Sequence, residues 1–130
     1  MRGLDQFLEK EVGDEYIVNQ PSILAGIGRT DIKRTTVIDK FAYTITTRQD
    51  RTPAQVIKTN DGRYRFLTER ECWRLNGYSD NDYEKAEMIN PKRPVARFNR
   101  TLYRQAGNSI AVPIFESIFR KIILNEEELR

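Results

Sequence analysis

One helix is specified more completely than any other element of this chain, by the stretch RFLTERECWRLNGYSD at residues 65–80. Thr68 is a favoured N-cap residue, and Glu71 three residues later completes a capping box, in which each side chain satisfies the other residue's backbone N–H. Leu67 precedes the cap, where an apolar side chain packs back onto the helix. Gly77 supplies the left-handed residue at which helices commonly end. The sequence therefore predicts a short helix with both ends fixed.

The two faces of this helix differ in chemistry. Arg70 and Arg74 lie four residues apart and so share one face. The side chains directed to the protein interior are Cys72, Trp73 and Leu75. Cys72 is the only cysteine, and the chain contains no histidine that could act as its base. We therefore predict a packing role for this thiol, and we expect no metal site because the commonest zinc ligand is absent.

A second stretch, YRQAGNSIAVP at residues 103–113, follows after a basic segment. In chain order, Leu-Thr-x-Arg-Glu-Cys-x-Arg-Leu-x-Gly-Tyr-x-Asp is followed by Tyr-x-Gln-x-Gly-Asn-Ser-x-x-Val-Pro. This pair resembles the last two of the ten ordered motifs of DNA cytosine-5 methyltransferases. The resemblance implies methyl transfer from S-adenosylmethionine to C5 of a cytosine flipped out of duplex DNA.

The catalytic motifs of that family do not occur in this sequence. The family's nucleophile is a cysteine in a Pro-Cys pair, assisted by Glu-Asn-Val and Gln-x-Arg-x-Arg segments, and none of these is present. Cys72 falls where family members commonly carry a cysteine without a chemical role. We therefore expect no catalytic residue here. The resemblance implies a C-terminal portion whose catalytic motifs are supplied by a catalytic domain or large subunit.

The second motif contains the residues to which the resemblance gives a cofactor role. It implies that Asn108 and Ser109 help to close the S-adenosylmethionine pocket, most of which lies outside this chain. Gly107 would permit close backbone approach at that pocket. A helix C-cap at Gly107-Asn108 is the structural alternative, and both roles can hold together.

Period-two alternation of β-branched and aromatic residues begins at Thr36 and predicts a small antiparallel sheet. The predicted strands are TVI at 36–38, FAYTITT at 41–47, AQVIK at 54–58 and YRF at 64–66. A Thr-Asn-Asp-Gly turn joins the last two. The expected fold class is α+β, in which a small antiparallel recognition region precedes the capped helix and a C-terminal helix that packs on a catalytic domain.

The loop RQDRTP at residues 48–53 joins the second and third predicted strands. Its side-chain types are those that recognise base edges: arginine binds guanine, glutamine binds adenine and a carboxylate binds cytosine. Composition alone favours a polar hairpin tip. The resemblance favours DNA recognition, because the family carries a Thr-Leu-like dipeptide before a recognition loop and Thr44-Ile45 stands in that place. It implies that the residues facing double-stranded DNA are Thr44, Arg48, Gln49 and Arg51.

Positive charge is concentrated in residues 91–104 of a chain whose net charge is +3. This segment contains no acidic residue, and its basic residues are Lys92, Arg93, Arg97, Arg100 and Arg104. A solvated basic face is one interpretation, and contact with a polyanion is the other. We predict that this segment contacts DNA phosphates or a partner, while the 48–53 loop recognises sequence.

Further helices are predicted on both sides of the sheet. Residues 3–12 have the apolar periodicity of a short amphipathic helix. Another helix begins at Ser79 or Asp80 and is closed by Asn90-Pro91. TLYRQAG gives a helical turn or two ended by Gly107. The final helix carries a broad apolar stripe that needs a large covering surface, either the small sheet or a second domain.

The expected organisation has three parts: a helix at 1–12 that packs on the catalytic domain, a target recognition region at 13–66, and the two-motif helical segment at 67–130. A stand-alone DNA-binding remnant and an interaction protein remain as alternatives to the methyltransferase portion. A cytoplasmic protein is expected, because the sequence has neither a run of about eighteen apolar residues nor a signal-peptide pattern.

Overall fold

The computed structural model describes residues 3–29, 35–109 and 112–128. Over these ranges the chain forms short 3-10 turns at Leu4–Phe7 and Asp14–Tyr16, followed by α1 (Pro21–Ala25), β1 (Thr35–Val37), β2 (Ala54–Lys58), β3 (Tyr64–Phe66), α2 (Glu69–Leu75), α3 (Asp80–Ile89), α4 (Arg100–Asn108) and α5 (Val112–Glu128). The fold is α+β, with one small sheet and several helices, as predicted.

The sheet has the order β1-β2-β3 and is mixed. β2 and β3 are antiparallel, with Val56 opposite Phe66, as predicted. β1 and β2 are parallel, with Val37 opposite Val56, so the prediction of a wholly antiparallel sheet is wrong for this pair. Parallel neighbours need a long crossover connection, and residues 38–53 provide it.

The predicted strand at 41–47 is also wrong, because a side chain replaces the neighbouring strand as its partner. The Gln55 side-chain oxygen accepts a hydrogen bond from the backbone N–H of Tyr43 at 2.7 Å. The amide nitrogen of Gln55 donates to the backbone oxygen of Thr44 at 3.1 Å. The segment therefore runs beside β2 without a backbone ladder, and Phe41 and Tyr43 stay exposed.

The amphipathic helix predicted at 3–12 is reduced to the single 3-10 turn at Leu4–Phe7. Leu8 is already extended, and Glu9 is bound to the start of α2. The backbone N–H of Glu9 donates to Glu71 at 2.9 Å, and the Thr68 hydroxyl donates to the Glu9 carboxylate at 2.5 Å. These contacts hold residue 9 away from a helical path, and Leu4 is buried in this chain's own core.

The capped helix is confirmed in detail. The Thr68 hydroxyl accepts from the backbone N–H of Glu71 at 3.1 Å, and the Glu71 carboxylate accepts from the backbone N–H of Thr68 at 2.8 Å. Gly77 follows the helix with a φ of 92°. The next helix, α3, begins after Ser79 as N-cap and ends at Asn90, which confirms that prediction too.

One hydrophobic core draws side chains from the N-terminal segment, the sheet region and the two-motif helices. Its buried members are Leu4, Val18, Ile23, Ile38, Ile45, Ala54, Val56, Phe66, Leu67, Cys72, Phe98, Tyr103 and Ala106. The three predicted parts of the chain are therefore packed together through shared contacts, while their assignment to separate roles stays a prediction.

Between residues 116 and 126, the C-terminal helix α5 presents its apolar side chains to solvent. The large apolar side chains that are about half-exposed are Ile118, Phe119, Ile122, Ile123 and Leu124. Among the described residues, the small sheet does not cover these side chains, and their covering by a second domain stays a prediction.

Within the described ranges, no helix has the length and apolar character needed to cross a membrane.

Candidate nucleic-acid interface

The loop at residues 48–53 presents two arginines to solvent, and they differ in what holds them. The Arg48 side chain is 42% exposed and its Nε lies 3.3 Å from the Asp50 carboxylate. Arg51 is exposed and makes no ion pair or side-chain hydrogen bond with any other part of the chain that the structure describes. Both arginines are exposed, and Arg48 is the one that an ion pair within the loop holds in place.

Asp50 is the partly buried centre of the loop. Its side chain is only 12% exposed, and Arg100 from the first turn of α4 pairs with it at 3.0 Å. Burial alone would raise the pKa of this carboxyl, but hydrogen bonds from Arg100 and Arg48 outweigh burial and lower it. Arg100 belongs to the basic segment by sequence, and its contact with Asp50 could not be predicted because no sequence pattern connects residues fifty positions apart.

Gln49 does not join the two arginines at the surface. Its side chain is 4% exposed, and its amide nitrogen donates to the backbone oxygen of Thr46 at 3.1 Å. Thr44 is exposed and, with Gln49, lines an open cavity of about 660 Å³ beside β1 and β2. Of the four residues predicted to face DNA, the structure therefore exposes Thr44, Arg48 and Arg51 and turns Gln49 inward.

Gly107 makes a close backbone approach, and its partner is the segment that leads into the loop. A Cβ atom at this position would lie 2.3 Å from the backbone nitrogen of Thr47 and 2.4 Å from the carbonyl carbon of Thr46. The close approach at Gly107 is therefore to this chain's own backbone, and its predicted role at the cofactor pocket stays a prediction. α4 continues one residue further than predicted, to Asn108.

The two predicted cofactor residues lie where α4 ends, next to this contact. Asn108 is exposed. Ser109 is the C-cap residue, and its hydroxyl donates to the backbone oxygen of Gln105 at 2.6 Å. The end of α4 thus places an exposed amide side chain close to the base of the loop at 48–53.

Helices α2 and α4 are joined by side-chain hydrogen bonds to backbone oxygens. The Trp73 indole N–H donates to Leu102 at 3.0 Å, and the Asn76 side chain donates to Ala106 at 2.6 Å. The two motifs therefore form one packed unit, and α4 connects that unit to the loop.

A buried ion pair attaches β3 to α2. The Glu71 carboxylate, which has no exposed surface, receives two hydrogen bonds from the Arg65 guanidinium at 2.8 and 2.9 Å. Arg70 and Arg74, the arginines on one face of α2, pair with Glu9 and Asp80 respectively. Arg65, Arg70 and Arg74 therefore form ion pairs that hold elements of this chain together.

The basic segment at 91–104 contains structural residues that sequence analysis treated as free. Arg97 donates to the backbone oxygens of Glu15 and Ile17, both at 2.6 Å, and its guanidinium lies 4.8 Å from the centre of the Phe98 ring. These bonds attach Arg97 to the N-terminal segment, a structural role that the prediction of phosphate or partner contact for the 91–104 segment did not include.

Lys92 is held locally, since its ammonium donates to the backbone oxygen of Ala96 at 2.6 Å. Arg93 is exposed, and its side chain has no ion pair or hydrogen bond within the described ranges. Arg93 is thus one basic residue of the 91–104 segment that stays available, within the described ranges, for the predicted phosphate contact.

Cys72 lies in α2 with no exposed surface. Burial, followed by the nearby charge of Glu71, raises the pKa of its thiol well above the usual range. Because the thiolate is the reactive form, this environment supports the predicted packing role. Among the described residues there is also no cluster of side chains suited to hold a metal ion.

Comparison with known proteins identifies the family. The family model described as C-5 cytosine-specific DNA methylase matches residues 9–124. The chain is 40% identical over 92 residues to an orphan methyltransferase of Bacillus phage rho11s, a match that covers 68% of this chain and 17% of that protein. It is 40% identical over 68 residues to a type II methyltransferase of Lactococcus lactis subsp. cremoris, covering 51% and 17% of the two chains.

A solved structure shares the fold. The S. pombe Dnmt2 methyltransferase aligns with a TM-score of 0.64 and 19% identity, over 97% of this chain and 43% of that one. The matched region thus spans less than half of that structure and about a sixth of each of the two curated relatives. Because the family match extends over most of the sequence, this chain belongs to the C-5 cytosine-specific DNA methylase family.

Proposed function

We propose that this chain is the DNA-recognition and C-terminal portion of a DNA cytosine-5 methyltransferase, with the catalytic motifs supplied by a catalytic domain or large subunit. The observation that carries the proposal is the family match over residues 9–124 in a sequence that has no Pro-Cys pair. The chain's one cysteine, Cys72, is buried within α2. The nucleophile of the completed enzyme therefore comes from outside this sequence, whether from the same polypeptide or from a partner.

The completed enzyme transfers a methyl group from S-adenosylmethionine to C5 of a flipped cytosine. On this proposal, Asn108 and Ser109 line one edge of the cofactor pocket and the rest of that pocket is outside the described residues. The exposed Asn108 side chain and the position of Ser109 at the end of α4 support this assignment. The chain alone should bind the cofactor negligibly, since it offers only this edge.

The exposed stripe of α5 is the proposed docking surface for the catalytic domain. The stripe contains two pairs of apolar residues: Ile118 with Ile122, and Phe119 with Ile123. Because the members of each pair are four residues apart, their side chains lie on one side of the helix. Exposed apolar patches of this kind mark surfaces that bind another protein. In the assembled enzyme, the apolar side chains of α5 would be buried against the catalytic domain.

Double-stranded DNA is the proposed ligand of the loop at 48–53. Arg48 and Arg51 are exposed and bear the group that binds guanine O6 and N7 in the major groove. Thr44 is exposed and lines the cavity beside β1 and β2, while Gln49 supports the loop from inside. Arg93, in the basic segment, is assigned to a phosphate.

Two matched substitutions test these roles in a binding assay with duplexes whose central bases are randomised. Arg51→Ala should relax the preference at one base pair, at a cost of about 1–3 kcal/mol in discrimination. Arg93→Ala should weaken binding to all duplexes alike and reduce the slope of log K against log salt by about one. The assignment is the wrong way round if Arg51→Ala weakens every duplex equally while Arg93→Ala relaxes the preference at one pair.

A DNA-binding module that serves no enzyme is the second candidate. The core formed from this chain's own residues favours it, because such a core supports a module that folds by itself. A module of this kind would recognise DNA but would not associate with a methyltransferase catalytic domain. Association that is abolished by Ile122→Asp, with DNA binding retained, separates the two functions in favour of the first.

A further inference from the structure

The recognition loop contains one acidic residue, Asp50, whose position differs from that of the arginines beside it. The Asp50 side chain is 12% exposed, whereas those of Arg48 and Arg100 are 42% and 51% exposed. The carboxylate therefore lies beneath two guanidinium groups, each of which has its outer part in solvent.

Both oxygens of Asp50 are fully occupied by these arginines. Oδ1 accepts from Arg48 Nε at 3.3 Å and from Arg100 Nη1 at 3.4 Å. Oδ2 accepts from Arg48 Nη2 at 3.5 Å and from Arg100 Nη2 at 3.0 Å. A carboxylate has about four acceptor sites, so none remains for the amino group of a cytosine. Asp50 is accordingly not a base-recognising residue, although its side-chain type could serve as one.

Within the part of the chain that the structure describes, no hydrogen bond or ion pair engages the outer edge of the Arg48 guanidinium. Arg48 turns its Nε side toward Asp50, and a guanidinium has five N–H donors arranged in a fixed plane. The opposite edge, formed by Nη1 and the second hydrogen of Nη2, points away from the carboxylate. That pair of donors matches the two acceptors of guanine, O6 and N7.

Asp50 is itself fixed by a rigid element. Arg100 lies in the first turn of α4, and Gly107 near the other end of the same helix packs against the backbone of Thr46 and Thr47. One helix therefore holds the loop both before and after Arg48. Sites supported in this way by packed elements keep their geometry better than sites on free loops.

We infer that Asp50 is a positioning residue for DNA recognition: it orients the Arg48 guanidinium for a guanine edge and is anchored to α4 by Arg100. This inference rests on the proposed function, because it names how the proposed recognition loop is held and which base the oriented arginine would contact. Both arginines of this cluster are about half-exposed, which limits what the ion pairs contribute to stability. The role therefore predicts a change in base preference more than a change in folding.

The test compares Asp50→Asn with the native 130-residue chain on selected and single-mismatch duplexes. Asp50→Asn should lower the ratio of matched to mismatched affinity at one G·C pair by about tenfold or more, while binding to random duplex is kept or increased because a negative charge is lost. Asp61→Asn is the matched control, since Asp61 pairs with Arg63 in the β2–β3 turn and should leave the ratio unchanged. In an Arg48→Ala background, Asp50→Asn should cause no further loss.

Arg100→Gln removes the anchor from the other side and should reproduce the loss of base preference, so the inference is also testable if Asp50→Asn fails to fold. An unchanged ratio in the folded Asp50→Asn or Arg100→Gln chain overturns the inference while the proposed function stands. An equal loss in the Arg48→Ala background overturns it as well. A native chain with no base preference contradicts the proposed function, and the inference falls with it.

Discussion

Replacing Glu71 by glutamine tests the interaction that attaches the sheet to the capped helix. The Glu71 carboxylate has no exposed surface and accepts four hydrogen bonds. One oxygen receives Arg65 Nη1 at 2.8 Å and the backbone N–H of Thr68 at 2.8 Å. The other receives Arg65 Nη2 at 2.9 Å and the backbone N–H of Glu9 at 2.9 Å. A single side chain thus connects β3, the N-cap of α2 and the N-terminal segment.

The magnitude follows from what glutamine cannot do. In glutamine, one of the two carboxylate oxygens is replaced by an NH2 group. In either orientation this NH2 group faces two hydrogen-bond donors, one from Arg65 and one backbone N–H, and the buried Arg65 charge loses its negative partner. Removing one member of a buried ion pair costs about 3–5 kcal/mol. Small domains are stable by only about 5–15 kcal/mol, so Glu71→Gln should remove a large part of the stability of this fold.

Urea unfolding followed by circular dichroism measures this cost, with Glu84→Gln as the matched control. Glu84 is 59% exposed and pairs with Arg70 at 3.4 Å, so its loss should cost less than about 1 kcal/mol. A Glu71→Gln chain within 1 kcal/mol of the native one, and unfolding with the same urea dependence, would refute the reasoning.

Three further changes test other parts of the structure. Cys72→Ala should cost about 1 kcal/mol in unfolding free energy and leave reconstituted methyl transfer within a few-fold of native; complete loss of activity in a folded variant would identify this thiol as the nucleophile. Gly107→Ala should destabilise by about 1–3 kcal/mol in urea unfolding, because the added methyl meets the backbone of Thr47, whereas Gly3→Ala, with open space around it, should be near neutral. The lowered pKa of Asp50 predicts that its contribution to stability is present above its ordinary value of 3.8 and is lost as the pH falls through the folded-state pKa; acid titrations of the native and Asp50→Asn chains should therefore diverge above that range and converge below it.

The elements that were predictable from sequence are those with local causes. The capping box of Thr68 and Glu71, and the exit at Gly77, involve residues within one or two helical turns, so spacing alone specifies them. Strand pairing has non-local causes. The residues at 41–47 have strand composition, yet the Gln55 side chain bonds their backbone in place of a strand, and no pattern in either segment indicates this.

In the candidate site, too, features with local causes were predictable from sequence and features with non-local causes were not. Residue type indicated that Arg48 and Arg51 could contact DNA, and both are exposed. The inward turn of Gln49 depends on a bond to the backbone within an irregular loop, which sequence periodicity does not describe. The pairing of Asp50 with Arg100 depends on where α4 packs, so it became visible only once the fold was known.

Methyl transfer by a reconstituted enzyme tests the central claim most directly. The 130-residue chain is mixed with the phage rho11s relative from which the segment matched by this chain has been deleted, and association of the two is verified by co-purification. Incorporation of labelled methyl groups from S-adenosylmethionine into duplex DNA is then measured for each component and for the mixture. The account predicts incorporation at cytosine C5 by the associated mixture and by neither component alone. Incorporation by the 130-residue chain alone, or none by a mixture that associates and binds DNA, would contradict it.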